Sequence, residues 1–262
     1  MSERDVILAG LRVARPLAPH GGAAGSPGPG GSPLDPHEGP GQSLDPAYDY
    51  GVLEEKRWDP GERLARLRRG MTAVHTEFID AGTPAGASIS TGTTGTTGAG
   101  PLAGDAWARA VVAFVLAEGL PSLLYGPDTE DGRTLASVWP AVGPRLLPYD
   151  QPVENFKREL FQEVAAGFTT TLGGLAETGG LLLAPGPREP RLLSLVPPVH
   201  LALLRTDRIF DTLFQAFRGL GWDRLPPANA LVVSGPSKTA DIEQTLAYGV
   251  HGPRRLVVVL AD

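Results

Sequence analysis

Apolar positions along the chain fall into two rhythms that alternate. Leu64, Leu67, Met71, Val74 and Phe78 recur every three or four residues, the stripe of an amphipathic helix. Asp59-Pro60-Gly61-Glu62 just ahead of them supplies a capping acid and a proline at the first helical position. The pattern predicts a helix that starts there and ends at Gly82. Further helices are predicted around Trp107, Val111, Val115 and Glu118, from an Asn155 cap through Phe156, Leu160, Phe161 and Val164, and over 207–217 and 239–248, with an unassigned segment near Leu135 and Trp139. Between them lie short apolar runs at 122–125, 145–148, 168–172, 181–184, 200–204, 230–234 and 256–261. Several are continuous in Val and Leu rather than alternating, which marks strands covered on both faces. Strands separated by helix-length segments imply right-handed crossovers and a parallel sheet. The expected fold class is therefore α/β, an open, mainly parallel sheet with helices on both faces. Sheets of this kind take ligands beyond the carboxyl ends of their strands.

The amino-terminal part breaks this rhythm. Ser2 can cap a short helix carrying Val6, Ile7 and Leu11, and from residue 16 to 59 the chain becomes rich in Pro and Gly, as in GGAAGSPGPGGSPLDPHEGPG. Such a stretch has too little apolar surface to offset the entropy of ordering it. Two regions are expected: a helix plus a mobile Pro/Gly segment over 1–60, and one α/β domain over 61–262. The small-residue stretch ASISTGTTGTTGAGPLAG reads as a loop, because it lacks the Lys-Ser/Thr that a phosphate-binding P-loop needs.

Charge and composition remove several function classes. The formal net charge of −6 gives no basic surface for a phosphate backbone, so no nucleic-acid partner is expected. There is no cysteine, hence no disulfide, thiolate zinc site, cysteine nucleophile or cluster ligation by this chain. His20, His37, His75, His200 and His251 are scattered, with no pair at metal-ligand spacing. No metal and no cofactor of the chain's own is therefore expected. The first residues lack a basic segment followed by an apolar one, and the longest apolar runs are too short for a membrane span, so a cytoplasmic protein is expected.

Two segments can carry chemistry. In ALVVSGPSKTADIEQTL a strand ends at Ser234, turns at Gly235, and is predicted to enter a helix near Thr239. Free N–H groups at that end, with Gly235, Ser237, Lys238 and Thr239, would cradle a phosphate or carboxylate; a plain helix cap is the alternative. In GFTTTLGGLAETGGLLLAPG, Glu177 stands between two glycine pairs beside apolar runs. It is the candidate catalytic residue, as nucleophile or general base, or else a carboxylate that stiffens its turn. His200, at the start of an apolar run, and His251, in a turn, are expected to be structural. Neither GxSxG nor GxGxxG is present.

LAETGGLLL, RLLSLVPPVHLALL and SGPSKTADIEQTLAYGVHGPRRLVVVL, in that order and spacing from about Phe156 to Asp262, resemble the lactate-utilization protein C family. The resemblance implies a fold like that of ribose-phosphate isomerases, glucosamine-phosphate deaminases and CoA-transferases. It implies a part in oxidising L-lactate to pyruvate alongside iron–sulfur partner proteins, which the absence of cysteine suits. CoA-transferases of this fold use a glutamate in a similar Glu-x-Gly turn. The family often has an acid five positions before it, where this chain has Leu172. An independent enzyme acting on a sugar phosphate or acyl-CoA, and a scaffold with a vestigial pocket, are the alternatives.

Overall fold

The computed structural model describes residues 56–81, 89–90, 104–240, 246–248 and 251–262. The predicted amino-terminal helix, most of the Pro/Gly segment and most of the Thr/Gly loop lie outside them.

Helix α1 (Pro60–Thr72) begins where the capping pattern predicts, with the Asp59 carboxylate accepting from Glu62 N–H. It stops ten residues short of Gly82. His75 adopts a positive φ of 68°, and the chain turns into strand β1 (Glu77–Asp80). Phe78 and Ile79 are both buried, which a strand covered on two faces allows and a one-sided helical stripe does not.

Beyond it come β2 (Ile89–Ser90), α2 (Ala106–Ala117), β3 (Ser122–Tyr125), α3 (Glu130–Val138), β4 (Arg145–Pro148), α4 (Val153–Gln162) and β5 (Ala166–Thr170). The α4 backbone is non-helical at Phe156, beside the expected Asn155 cap. The chain continues through β6 (Gly173–Leu175), β7 (Gly180–Leu183), α5 (Leu192–Leu195), β8 (Val199–Arg205), β9 (Ile209–Phe210) and α6 (Leu213–Gly219). It ends with β10 (Leu231–Val233), β11 (Lys238–Ala240), β12 (Leu246–Tyr248) and β13 (Arg255–Ala261).

The main sheet has the order β2-β1-β13-β8-β5-β3-β4. Every pairing in it is parallel except that of β1 with β2. The expected α/β class holds: the sheet is open, mainly parallel, and covered on both faces. On one face Ile79, Leu201, Leu203, Val257, Val259 and Phe168 pack against α2 and α3, with Phe168 stacked on Trp107 at 5.5 Å. On the other, Phe78, Ala202, Leu204, Leu256 and Val258 meet α1 and a second sheet, while Leu124 meets α4 and α5.

That second sheet, β10-β7-β6-β9, corrects the expectation that 181–184 and 230–234 join the parallel array. They pair with each other, antiparallel, as β7 and β10. The predicted helix over 207–217 is divided: Ile209 and Phe210 pair with β6, and α6 starts only after Thr212, whose hydroxyl accepts from Gln215 N–H. A helix over 239–248 is also corrected, because Thr239 lies opposite Ala247 in a β11–β12 ladder. Gly235 at φ 151° and a bond from Ser237 N–H to Pro253 O commit that backbone to an extended path.

Strands β3 and β5 are neighbours whose following connections leave in opposite directions, β3 towards β4 and β5 towards β8. Their carboxyl ends therefore form the switch-point crevice of an open parallel sheet.

Candidate functional site

Glu177 sits on the turn joining β6 to β7. Its N–H donates to Asp211 O, and its carboxylate accepts from Lys56 Nζ. Lys56 is held there by its own backbone: Gln215 Nε2 donates to Lys56 O at 2.9 Å, and Trp58 N–H donates to Asp211 Oδ1 at 2.9 Å. Asp211 is 3% exposed and takes two further bonds from Arg63, from Nε at 2.7 Å and Nη2 at 3.0 Å. The candidate catalytic carboxylate thus lies at an exposed surface, and the segment ahead of α1 delivers a cation to it. Asp211 and Arg63 were not legible as a pair. The sequence places Asp211 inside a predicted helix, where an acid has no obligatory partner.

The Gly235 bend follows β10. Gly180 lies beside Ser234, with a Cβ on it 3.4 Å from Ser234 Oγ, so the Glu177 turn and the bend are neighbours through β7 and β10. Both lean on the carboxyl end of α1, the turn through Gly179 against Gly70 and the bend through Gly235 against Val74. A helix N-terminus is not what the bend offers, since Lys238 and Thr239 belong to β11. The edge of the sheet also differs from expectation. Pro236 lines a cleft of about 410 Å³ with Thr72, His75, Thr76, Glu77, Arg254 and Arg255, at the amino ends of β1 and β13. Arg255 makes a two-point bond to Glu77 at 2.8 Å and one to Glu118 at 2.7 Å, and these hold its guanidinium firmly charged. Arg254 and His75 are exposed, while Thr76 Oγ1 is buried without a hydrogen-bond partner. His251 stands in the exposed turn before β13.

A different group of side chains gathers at the switch-point crevice. Glu189 lies across the turn that follows β3, so close that a Cβ on Gly126 would fall 2.3 Å from Arg188 O and 3.0 Å from Glu189 Cγ. Its carboxylate accepts from Thr170 Oγ1 at 2.8 Å and Thr170 N–H at 3.2 Å. Burial raises its pKa, Asp131 adds to the rise, and the Thr170 bonds oppose it. Asp131, on the first turn of α3, pairs with Arg205 at the end of β8 at 2.7 Å. Beneath them His200 is buried, as its apolar strand suggests, with Nε2 2.8 Å from Thr169 Oγ1 and Nδ1 without a partner. Desolvation pushes its pKa down to about 4. Sequence reasoning missed Glu189, which APGPREP presents as loop decoration. The carboxyl-end rule, applied to Thr170, was the available signal.

Among the described residues no group of three or more His, Asp or Glu is placed to share a metal ion, and no helix is long and apolar enough to cross a membrane.

The LUD domain matches residues 129–261, half of the chain. An uncharacterized protein of Neisseria meningitidis is 39% identical over 146 residues, covering 54% of this chain and 61% of that protein. Lactate utilization protein C of Deinococcus radiodurans is 30% identical over 127 residues, 48% of this chain and 58% of its own length. The chain thus spans between about two-fifths and three-fifths of the length of the curated relatives it matches. A crystal structure of a DUF162 family protein from Deinococcus radiodurans superposes with a TM-score of 0.50 at 16% identity, over 79% of this chain and all of the other, a likeness of fold. With the domain match extending from the start of α3 to the last strand, the chain belongs to the LUD domain family.

Proposed function

We propose that the chain is a component of a lactate-utilization system that supports oxidation of L-lactate to pyruvate, with electron transfer carried out by iron–sulfur partner proteins. The observation that carries this reading is the LUD domain match together with relatives named lactate utilization protein C. A chain without cysteine offers no thiolate to a cluster, so the redox step falls to a partner.

In this reading a small anion binds at the amino-end cleft, beside Gly235, Ser237, Lys238 and Thr239. The exposed Arg254 guanidinium and the unpartnered Thr76 hydroxyl at that cleft are the groups that support an anionic ligand. Glu177 then acts from the neighbouring β6–β7 turn, where its carboxylate pairs with Lys56.

Growth tests the role. A deletion strain should fail on L-lactate as sole carbon source, and the wild-type chain should restore growth. Affinity purification of the chain from lactate-grown cells should bring iron–sulfur proteins with it. Normal growth of the deletion strain, with no second LUD protein in the cell, would sink the lactate role. Purification without iron–sulfur proteins would sink the partner assignment.

A further inference from the structure

A second cavity lies at the carboxyl end of β5, between the end of β7, the 184–190 segment and α5, at the opposite end of the strands from the amino-end cleft. It is small, about 40 Å³, and is lined by Thr169, Thr170, Leu172, Leu183, Glu189 and Ser194 among others. Roughly 10–15 Å³ of such volume holds one water, so it accommodates a few heavy atoms and excludes nucleotides, CoA and sugar phosphates.

The polar groups facing this space are arranged by their neighbours. Ser194 Oγ is committed to Arg191 O at 3.0 Å. Thr169, 4% exposed, has its oxygen 2.8 Å from His200 Nε2. His200 is 1% exposed, and its Nδ1 touches no polar group. A buried N–H without an acceptor is costlier than a lone pair left unmatched, so the imidazole proton belongs on Nε2. It then donates to Thr169 Oγ1, and the Thr169 hydroxyl keeps its own proton to donate elsewhere. Across the cavity the Glu189 carboxyl is fixed by Thr170. Leu172, Leu183 and Pro185 supply an apolar wall.

We infer that this cavity binds a carbonyl or carboxylate compound of roughly two to three carbons, whose oxygens accept from Thr169 Oγ1 and from the Glu189 carboxyl and whose short carbon chain lies against Leu172 and Leu183. The raised pKa of Glu189 supports its part as a donor, since the neutral acid can share a proton with the ligand's oxygen. Acetate, pyruvate and L-lactate are members of the class. This site stands apart from the amino-end cleft and does not depend on the lactate role.

Calorimetric titration of the full chain with acetate, pyruvate and L-lactate at pH 5.5 and 7.5 tests it. At least one acid should bind saturably, and more tightly at pH 5.5. Thr169→Val should weaken that acid about tenfold, the loss of one hydrogen bond, while Thr169→Ser stays close to wild type. Ala184→Leu, which fills the cavity mouth while leaving both donors in place, should abolish binding even if the valine variant does not fold. Glu189→Gln should bind with little pH dependence, and Lys157→Ala, exposed on α4 and outside both clefts, should bind as wild type does. Absence of binding for all three acids overturns the inference. So does undiminished binding in Ala184→Leu.

Discussion

Gly179 and Gly70 meet backbone to backbone: a Cβ on Gly179 would lie 2.9 Å from Gly70 Cα, and one on Gly70 would lie 3.1 Å from Gly179 Cα. This contact presses the Glu177 turn onto α1. In an exposed helix Gly→Ala is worth about 1 kcal/mol of stability, so Gly70→Ala should stabilise if the contact were loose. The prediction is the reverse, a net loss, because a backbone atom rather than a flexible side chain must give way. Gly179→Ala adds the strain of its φ of 69° and should cost more, about 2 kcal/mol or above. Urea denaturation of both variants gives the order.

Arg63 and Asp211 form an unequal pair, one third exposed on the arginine side and 4% on the aspartate side. Removing the arginine strands a buried carboxylate, whereas removing the aspartate leaves a guanidinium that water can reach. Arg63→Ala should therefore destabilise more than Asp211→Ala, by about 1 kcal/mol or more. Equal costs in denaturant titrations would show that the buried carboxylate is solvated on loss of its partner.

The central strands were legible because their apolar runs are continuous, and β3, β8 and β13 fall where those runs lie. The second sheet was not, since Leu181–Leu183 is as apolar as any central strand. Its partners are set by the Gly180 turn and the β10 register, which are tertiary facts. Glu177 could be singled out from its flanking glycines, but the Lys56 contact depends on a segment 121 residues away. The Thr239 helix failed for a local reason: capping residues after Gly235 satisfy a helix start equally well as a β-turn. Glu189 and Thr169 escaped notice because their significance comes from strand order, which places β5 beside β3 and β8.

His200 ties stability to acid. Its folded pKa is about 4 against an ordinary 6.5, so the folded state favours the neutral imidazole. The associated stability is complete above pH 6.5 and is lost as pH falls from there towards 4. Over that window the loss is on the order of 3 kcal/mol. His200→Gln should start less stable at pH 7.5, through imperfect packing, yet fall less steeply between pH 6.5 and 4. Parallel slopes for variant and wild type would show that another group governs the acid limb.

Glu189 works in the opposite sense. Desolvation raises its folded pKa above that of the unfolded chain, so its contribution is greatest in acid and declines as pH rises through the folded value. Ionising this carboxylate means holding the charge in a poorly solvated place, with Asp131 near and the Thr170 bonds and Arg188 in partial compensation. Glutamine keeps an acceptor for Thr170 and carries no charge to desolvate. Glu189→Gln should therefore raise the melting temperature at pH 7.5, by an amount equivalent to about 1 kcal/mol or less. The advantage should shrink as pH falls and vanish below the ordinary carboxylate value, where Glu189 is protonated in the folded and the unfolded chain alike. A variant that is less stable at pH 7.5 and level at pH 4 would mean that the ionised form is the one the fold stabilises, and the proton placed on Glu189 in the carboxyl-end cavity would have to be reassigned.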